Sequence, residues 1–255
     1  VDKAINITAK LRSGYDSTLV IIDGQKVAKL TTTAVKDTSF KFAPLKFGKV
    51  SLQLIAYKSG KSYKSSLRSL DLYDLKATQV IYTNNFDATT TDFIGNGFTI
   101  STPAGFTSPS ANTPHPYVES TDYYYTLLVP IKISWSPGLA NIEYKDIAIV
   151  EPGDLNSVFG DWNFWDYVVV EGSRDGLTWI PVEDGYDSRY NPSWNTLFSA
   201  GTNPNSTHYF NHKINMINKF NPGEVIFIRF HLFSDEGAVG WGWVFFTAVS
   251  GLIAF

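Results

Sequence analysis

The sequence predicts an all-β protein made of two domains, a small β-sandwich followed by a larger one. Apolar and polar residues alternate in many short segments, and no segment keeps a helical period for more than about two turns. Aromatic residues make up 15% of the 255 residues, which is typical of β-strands. Charge is divided unevenly: residues 1–76 carry 14 Lys and Arg against 6 Asp and Glu, whereas residues 77–255 carry 7 against 18. Such asymmetry indicates two domains with different surfaces.

The first domain, residues 1–77, is predicted to be a small immunoglobulin-like sandwich. The segment AINITAKL alternates and places Ile5, Ile7, Ala9 and Leu11 on one face. STLVIIDGQKVAKL contains two strands joined at a tight-turn dipeptide, Asp23-Gly24. SFKFAP and KVSLQLIAYKSGKSYKSSLRSLDLYDL add two or three strands, with a turn at Ser59-Gly60. About six short strands in a segment of this length fit the immunoglobulin-like class.

The second domain, residues 78–255, is predicted to be a jelly-roll sandwich. Eight or more strands separated by long loops are typical of that architecture. A short helix is expected around residues 191–198, after the segment NPSW. The strands are expected in QVIYTNNFDATTTDFIGNGFTI, YYYTLLVPIKISW, ANIEYKDIAIVEPGD, WDYVVVEGS, TWIPVED, HKINMINKF, EVIFIRFHLFS and GWGWVFFTAVSGLI.

Composition excludes several kinds of protein. The chain has no cysteine, so it has no disulfide bond, thiolate metal site or cysteine nucleophile. No run of 18 apolar residues occurs, so no membrane span is expected. The lysines of the basic half lie singly along predicted strands, so nucleic acid is not an expected partner. The chain begins at Val1 and its only methionine is Met216, which indicates a processed chain or a piece of a longer protein.

The segment SRDGLTW, residues 173–179, predicts a tight turn. Asp175 is expected to accept backbone N–H bonds, Gly176 to adopt a positive φ, and Trp179 to return the chain to the core. The segment resembles a shortened Asp-box hairpin, which has a structural role in sialidases and other secreted β-domains. A single copy argues against a propeller.

The candidate ligand residues lie in and around the most aromatic part of the sequence, FWDYVVVEGSRDGLTWIPVEDGYDSRYNPSW. The polar segment DGYDSRYNPSW is expected to be a surface loop in which Asp187 pairs with Arg189. Its aromatic residues either pin the loop or stack on a sugar ring. In RFHLFSDEGAVGWGW, Arg229 and His231 share one face, and two tryptophans around a glycine form a flat shelf. The candidate ligand-binding residues are Trp162, Tyr186, Arg189, Trp194 and Trp241.

Calcium is the one metal that the sequence favours. Jelly rolls can tie a strand with Ca²⁺, which takes six to eight oxygen ligands. NNFDATTTDF offers Asp87 and Asp92, and Glu151 and Asp166 are expected to join them from adjacent strands. The alternative is that these acids cap loops and form turns. No other cofactor is expected.

No catalytic residues are assigned, and the protein is expected not to be an enzyme. The sequence contains no HExxH, GxSxG or phosphate-binding loop. His208 and His212 are four residues apart, but they lie in a strand and loop region and would not share a helical face. A glycan hydrolase remains an alternative, and it would need two carboxyl groups about 5–10 Å apart across a cleft.

Several segments together resemble a known kind of domain. NFDATTTDFIGNGFTI, TPHPY, LLVPI, IAIVEPGD, FWDYVVVEGSRDG-TW, DGYDSRYNPSW and IRFHLFSDEGAVGWGW resemble a jelly-roll domain of large secreted proteins from Bacteroidetes-type bacteria. That domain is distantly similar to the MAM-like domains of immune-inhibitor-A metalloproteases and often follows an immunoglobulin-like domain. The resemblance covers residues 78–255 and implies a non-catalytic secreted or surface module. After GWGW the family pattern has an Ile-Asp pair, whereas this chain has Val244-Phe245-Phe246.

The expected function is binding or adhesion outside the cell or at its surface, in association with the outer membrane. A glycan is the favoured partner because aromatic residues flanked by Asp, Asn and Arg suit sugar rings and hydroxyl groups. The alternative is a structural spacer, or a docking module that positions a neighbouring protein domain. Exposure discriminates between them: if Trp162, Trp194 and Trp241 are all buried, glycan binding loses its basis.

Overall fold

The structure is a computed structural model and describes residues 5–11, 15–31, 36–42 and 48–246. The chain divides into two compact units, Val1–Asp74 and Leu75–Phe255. All paired strands of the described residues are antiparallel, and their one α-helix has nine residues. The predicted all-β class is therefore confirmed. The predicted faces of Ile5, Ile7, Ala9 and Leu11 concern side chains outside the described part.

The first unit contains two sheets. β1 pairs with β4, whereas the larger sheet has the order β3-β2-β5-β6, and β7 also pairs with β5. Alternate residues of β2 are buried, and Val20 has no exposed surface. The strands are β1 (Ile5–Leu11), β2 (Ser17–Ile22), β3 (Gln25–Leu30), β4 (Lys36–Phe42), β5 (Gly48–Lys58), β6 (Lys61–Lys64) and β7 (Arg68–Leu72).

Two tight turns set the register of the larger sheet. Asp23 and Gly24 join β2 to β3 with φ values of 47° and 75°. Ser59 and Gly60 join β5 to β6 with φ values of 48° and 77°. Two successive positive φ values match the twist of antiparallel strands, and glycine adopts such a conformation without a Cβ clash. Both predicted turns are confirmed.

In the second unit, the described residues form eleven strands and the helix α1. The strands are β8 (Phe93–Asn96), β9 (Thr99–Ser101), β10 (Ser110–Asn112), β11 (Thr121–Leu127), β12 (Ile131–Lys132), β13 (Asn141–Ile149), β14 (Tyr167–Ser173), β15 (Ile180–Pro181), β16 (Phe210–Asn215), β17 (Val225–Ser234) and β18 (Gly242–Phe246). One sheet has the order β16-β13-β18-β10-β9. The other has the order β15-β14-β17-β11-β8, with β12 pairing with β17.

This strand order is that of a jelly roll. Four strands of the first sheet, β10, β13, β16 and β18, alternate along the chain with the second sheet. The last described strand, β18, lies between β10 and β13, while β17 lies between β11 and β14. A jelly roll arises when an antiparallel chain folds back on itself in this way and forms two packed sheets. The consecutive strands β8 and β9 extend the two sheets by one strand each, β8 beside β11 and β9 beside β10.

The core between the sheets is aromatic. Phe93 of β8 stacks on Tyr125 of β11 with ring centroids 4.6 Å apart. Phe230 of β17 stacks on Phe245 of β18 at 4.3 Å, which joins the middle strands of the two sheets. Stacked rings of this kind contribute about 0.5–1.5 kcal/mol each beyond the area that they bury.

The helix α1 (Pro192–Ala200) lies where a short helix was predicted. The side chain of Asn191 caps its first turn by accepting from the backbone N–H of Ser193, and Pro192 supplies a preset φ at the start. Gly201 ends the helix in the left-handed conformation, with φ of 60°. The helix buries Trp194 completely, and the indole Nε1 donates to the carbonyl of His208 at 2.9 Å.

The predicted turn after β14 is confirmed, except for its last residue. Asp175 Oδ1 accepts from the backbone N–H groups of Leu177 and Thr178 at 2.8 Å each, and Gly176 has φ of 73°. Trp179 does not return to the core. It lies half-buried on the outer face of the sheet, where the guanidinium of Arg229 lies 4.3 Å from its ring centroid. A cation held over an indole stabilises that position as burial would have done.

A buried carboxylate, Asp146 on β13, joins three strands to a loop. Its Oδ1 lies 2.8 Å from Nε2 of His212 on β16, and its Oδ2 accepts from Nε1 of Trp243 on β18 at 2.7 Å. The hydroxyl of Tyr186 donates to the same Oδ2 and lies 3.0 Å from the hydroxyl of Tyr144. Asp146 has no exposed surface, and a buried carboxylate is tolerated only when such partners replace water.

We expect Asp146→Asn to lower the free energy of unfolding of the second unit by about 3 kcal/mol, because an amide N–H would face a donor. Urea denaturation followed by tryptophan fluorescence measures this, since all seven tryptophans lie in that unit. Asp184→Asn, which changes an exposed acid, is the control and should change the value by less than about 0.5 kcal/mol. Small effects of similar size for both variants would contradict the role of Asp146.

A candidate ligand groove and a carboxylate cluster

The connection between β13 and β14, residues 150–166, forms a loop held by its own hydrogen bonds. The backbone N–H of Asp154 donates to the carbonyl of Asn163 at 3.0 Å and closes the loop. Within it, the N–H of Asp161 donates to the carbonyl of Val158 at 3.0 Å, and the N–H of Val158 donates back to the Asp161 carboxylate at 2.9 Å. These reciprocal bonds give the loop a defined shape.

Two adjacent cavities of about 540 and 360 Å³ border this loop, and we call them together the aromatic groove. Phe159 and Phe164 line both cavities and form their shared wall. Both volumes fall in the range of small-molecule pockets. The larger cavity is also lined by Glu183, Asp184, Tyr186, Asp187, Arg189, Tyr190 and His212, and the smaller by Asp161, Trp162, Trp165, Tyr167, Phe233 and Asp235.

Trp162 is the most exposed aromatic side chain of the groove, with 84% of its surface accessible. Its ring centroid lies 5.8 Å from that of Trp165, and the two planes are nearly perpendicular at 82°. Tyr190, in the larger cavity, is 49% exposed. Flat ring faces left open to solvent can stack on the apolar face of a ligand ring.

Arg189 and Asp187 form a two-pronged ion pair at one wall of the groove, as predicted. Asp187 is buried, and its two oxygens accept from Nε and NH2 of Arg189 at 3.1 and 2.6 Å. Arg189 also donates to the carbonyl of Asp154 and lies 5.1 Å from the ring centroid of Phe164. The guanidinium therefore fastens the 150–166 loop to the loop that follows β15.

The other predicted ligand residues have different positions. Tyr186 lines the larger cavity but is 8% exposed, because its hydroxyl turns inward to Asp146. Trp194 has no exposed surface, which removes it from the residues that can contact a ligand. Trp241 lies outside the groove and lines a third cavity of about 350 Å³, with its ring stacked 3.7 Å from that of His115. The groove thus brings together Trp162, Tyr186 and Arg189.

Three of the groove's aromatic residues that were not predicted from the sequence lie in one segment. Phe159, Phe164 and Trp165 all lie in the segment VFGDWNFW. The signal that could have found them is the density of aromatic residues in a loop-like segment rich in Gly, Asp and Asn. Such a segment has too little alternation for a strand, so its rings have no sheet face in which to be buried.

A carboxylate cluster lies beside the groove, where one oxygen each of Glu151, Asp166 and Asp235 lies within 4.8 Å of the others. Asp166 is fully buried and accepts from the hydroxyl of Tyr117 and from the backbone N–H of Asp235. Oε2 of Glu151 is buried, and nothing in the described part of the chain hydrogen-bonds to it. Asp235 was missed by the sequence analysis, although it directly follows a predicted strand in LFSDEG.

The spacing of the cluster suits calcium. Oxygen ligands lie about 2.3–2.6 Å from Ca²⁺, so oxygens on opposite sides of the ion are separated by up to about 5 Å. Three carboxylates supply fewer than the six to eight ligands that Ca²⁺ takes, so carbonyl oxygens or water would have to complete the shell.

The cluster resists full ionisation when no cation is bound. Burial raises the pKa of Asp166 to about 7, and the charges of Asp235 and Glu151 add to this, although hydrogen bonds from Tyr117 and Asp235 oppose it. Burial also raises the pKa of Glu151, with a further contribution from Asp235. A proton is therefore retained among these carboxylates near neutral pH, and a bound cation would take its place.

Asp87 and Asp92 are not part of this cluster. Asp92 forms an ion pair with Lys76 and accepts from the hydroxyl of Tyr82 at 2.9 Å. Asp87 is exposed, and its carboxylate accepts from the side chain of Asn85. Local partners within the same stretch of chain therefore occupy both carboxylates, as the turn and capping interpretation expects.

The fold and the groove define an all-β protein whose jelly-roll unit carries an aromatic, acidic groove. No family model matches the chain, and no curated protein matches it. Similar solved structures include the secreted serine protease VesC from Vibrio cholerae, with TM-score 0.39 and 10% identity over 96% of this chain and 46% of that one. Carbohydrate-binding modules from the β-sandwich superfamily align with TM-score 0.29 and 10% identity over 96% of both chains. Bacteroides uniformis β-glucuronidase aligns with TM-score 0.27 and 11% identity over 95% of this chain and 27% of that one.

The chain therefore spans less than half of the protease and about a quarter of the glucuronidase. Among the described residues, no helix is both long enough and apolar enough to cross a membrane.

We expect Asp166 to make the second unit less stable as the pH rises from about 4 to 7 in the presence of a chelator. The carboxyl of Asp166 keeps its proton up to a pKa of about 7 in the folded protein, whereas an exposed Asp carboxyl has a pKa of 3.8, so unfolding releases a proton in this range. Melting temperatures across this range measure the effect. Asp166→Asn should flatten the pH dependence and Asp87→Asn should keep it. An unchanged slope in Asp166→Asn would contradict the assignment.

Proposed function

We propose that this protein is a non-catalytic module that binds a glycan in the aromatic groove. The observation that carries the proposal is the open indole face of Trp162, beside two cavities that share a wall. A pyranose ring has an apolar face that packs on an indole, and its hydroxyl groups donate to carboxylates. Asp161, Glu183 and Asp184 supply exposed carboxylates on the same surface.

The fixed shape of the groove supports a binding role. The 150–166 loop is closed by the Asp154–Asn163 hydrogen bond and fastened by Arg189. A ligand that meets rings already in place loses less conformational entropy on binding than one that must order a flexible loop. The same arrangement would favour a chain of sugars over a single sugar, because the two cavities adjoin.

Two features support the proposal that the module is not an enzyme. A general acid must come within hydrogen-bonding distance of the substrate. Asp166, whose pKa suits that role, has no exposed surface, and both of its oxygens are hydrogen-bonded. Asp146 is equally buried, and its partner His212 is stacked on the rings of Tyr144 and Tyr186 at 4.5 and 5.0 Å.

We also propose that the carboxylate cluster holds a structural Ca²⁺. The support is the buried oxygen of Glu151 without a partner, the raised pKa of Asp166 and a spacing that suits this ion. The ion would offset two of the three negative charges. It would also join Glu151, after β13, and Asp166, before β14, to Asp235, after β17. This set keeps Glu151 and Asp166 from the sequence prediction and has Asp235 in place of Asp87 and Asp92.

An extracellular or cell-surface location, in association with the outer membrane, completes the proposal. The resemblance to jelly-roll domains of secreted Bacteroidetes-type proteins, distantly similar to MAM-like domains, supports this context. A jelly roll with so large an aromatic core needs no disulfide bonds to be stable outside the cell.

Exposed apolar side chains favour a second candidate function, docking of a protein domain. Leu155 and Val158 are 88% and 63% exposed on the same loop as Trp162.

We expect Trp162→Ala to lower glycan affinity at least tenfold, because it removes the open ring face. A glycan array followed by calorimetry on the ligands that bind would measure this. Trp135→Ala is the matched control, since Trp135 is also exposed, at 70%, but does not line the groove, and it should leave affinity unchanged. Equal affinities for both variants would contradict the site. An array without binding, together with a protein partner lost in Trp162→Ala, would favour docking.

We expect calcium to raise the melting temperature of the second unit and to abolish the destabilisation between pH 4 and 7. Saturation at 100 times the dissociation constant contributes about 2.7 kcal/mol. Differential scanning calorimetry with calcium and with a chelator measures the shift. The Glu151→Gln variant should show no calcium-dependent shift in melting temperature, whereas Asp87→Asn should show the same shift as the unsubstituted protein. If calcium has no effect on the unsubstituted protein, the cluster does not hold the ion.

A further inference from the structure

We infer that the aromatic groove prefers glycans with free amino groups and excludes anionic glycans. This inference rests on the proposed glycan-binding function and names the class of sugar that the groove takes. It is carried by the charge of the walls, which is negative on both sides of the shared aromatic wall.

The groove has acidic side chains on each side and one cation. Asp161 lines the smaller cavity, and Glu183 and Asp184 line the larger one. All three are exposed, and none of them forms an ion pair with another described residue. The cation is Arg189, whose charge is compensated by the buried carboxylate of Asp187. A ligand therefore meets a net negative surface.

This charge acts on ligands in opposite ways. The negative charges of acidic side chains in a concave site repel an approaching anion, because the walls of the cavity focus their electric field. Uronic acid, sialic acid and sulfated sugars would each bring a negative charge between Asp161 and the Glu183–Asp184 pair. An ammonium group gains from the same field, whereas a neutral sugar gains only hydrogen bonds and stacking.

The aromatic residues strengthen the preference for a cation. An ammonium group within about 6 Å of an open ring face is attracted by the ring quadrupole, most strongly for tryptophan. Trp162 presents such a face in the smaller cavity, and Tyr190 presents one in the larger cavity. An amino sugar places an ammonium group next to its own apolar ring face, so one residue of the glycan can use both the ring and the carboxylates.

The test compares four β-1,4-linked hexamers with the same glucose backbone. Three of them differ from the glucose hexamer at one carbon of each sugar, C2 in the two amino sugars and C6 in glucuronic acid. They are the hexamers of glucosamine, N-acetylglucosamine, glucose and glucuronic acid, measured by isothermal titration calorimetry at pH 5.5, low salt and a fixed calcium concentration. We expect the glucosamine hexamer to bind at least tenfold more tightly than the two neutral hexamers, and the glucuronic acid hexamer not to bind. The glucosamine advantage should shrink as salt rises, because salt screens exposed charges.

Variants separate this inference from the proposed function. Glu183→Gln with Asp184→Asn removes two negative charges and should lower the ratio of glucosamine-hexamer affinity to neutral-hexamer affinity, whereas Glu119→Gln, an exposed acid outside the groove, should leave that ratio unchanged. Trp162→Ala should weaken every hexamer. Two results would overturn the inference but keep the proposed glycan binding. One is that the neutral hexamers bind through Trp162 as tightly as the glucosamine hexamer does, and the other is that the glucuronic acid hexamer binds. Absence of binding to all four hexamers would overturn both.

Discussion

The second unit depends on one buried carboxylate. Asp146 lies in the middle of the sheet that contains β13, and it is the shared acceptor for a histidine, a tryptophan and a tyrosine from three other parts of the chain. A buried charge without such donors would cost more than packing could offset, so these elements must assemble together. Of these three partners, Tyr186 connects the buried carboxylate to the groove. Tyr186 is drawn inward by Asp146, and this places its ring in the floor of the larger cavity.

The groove is built above that floor by a loop rather than by a sheet face. Turns within residues 150–166 bring Phe159, Trp162 and Phe164 to one surface, and Arg189 fastens the loop from the opposite side. Sheet faces bury alternate residues, whereas a loop closed by its own hydrogen bonds can leave an indole open to solvent. The jelly roll thus supplies a rigid support, and the loop between β13 and β14 supplies the aromatic side chains that line the groove.

Local features could be predicted from the sequence, and non-local ones could not. The Asp23-Gly24 and Ser59-Gly60 turns and the helix capped by Asn191 depend on conformational preferences of neighbouring residues, which the sequence displays directly. Exposure of an aromatic ring depends on what packs against it from elsewhere. Trp162 and Trp194 both lie in aromatic, polar segments, but Trp162 is 84% exposed and Trp194 has no exposed surface. In the same way, Asp235 joins the carboxylate cluster through the pairing of distant strands, which no short motif encodes.

The position of Asp235 would couple the proposed calcium site to the proposed glycan site. It belongs to the carboxylate cluster and also lines the smaller cavity of the groove. A cation bound by the cluster would cancel part of the negative potential that a positively charged ligand meets there. Because coupling between two binding sites is reciprocal, the ligand would weaken cation binding by the same factor. A module of this design would release a basic glycan as the local calcium concentration rises, and would sense calcium less strongly while its groove is filled.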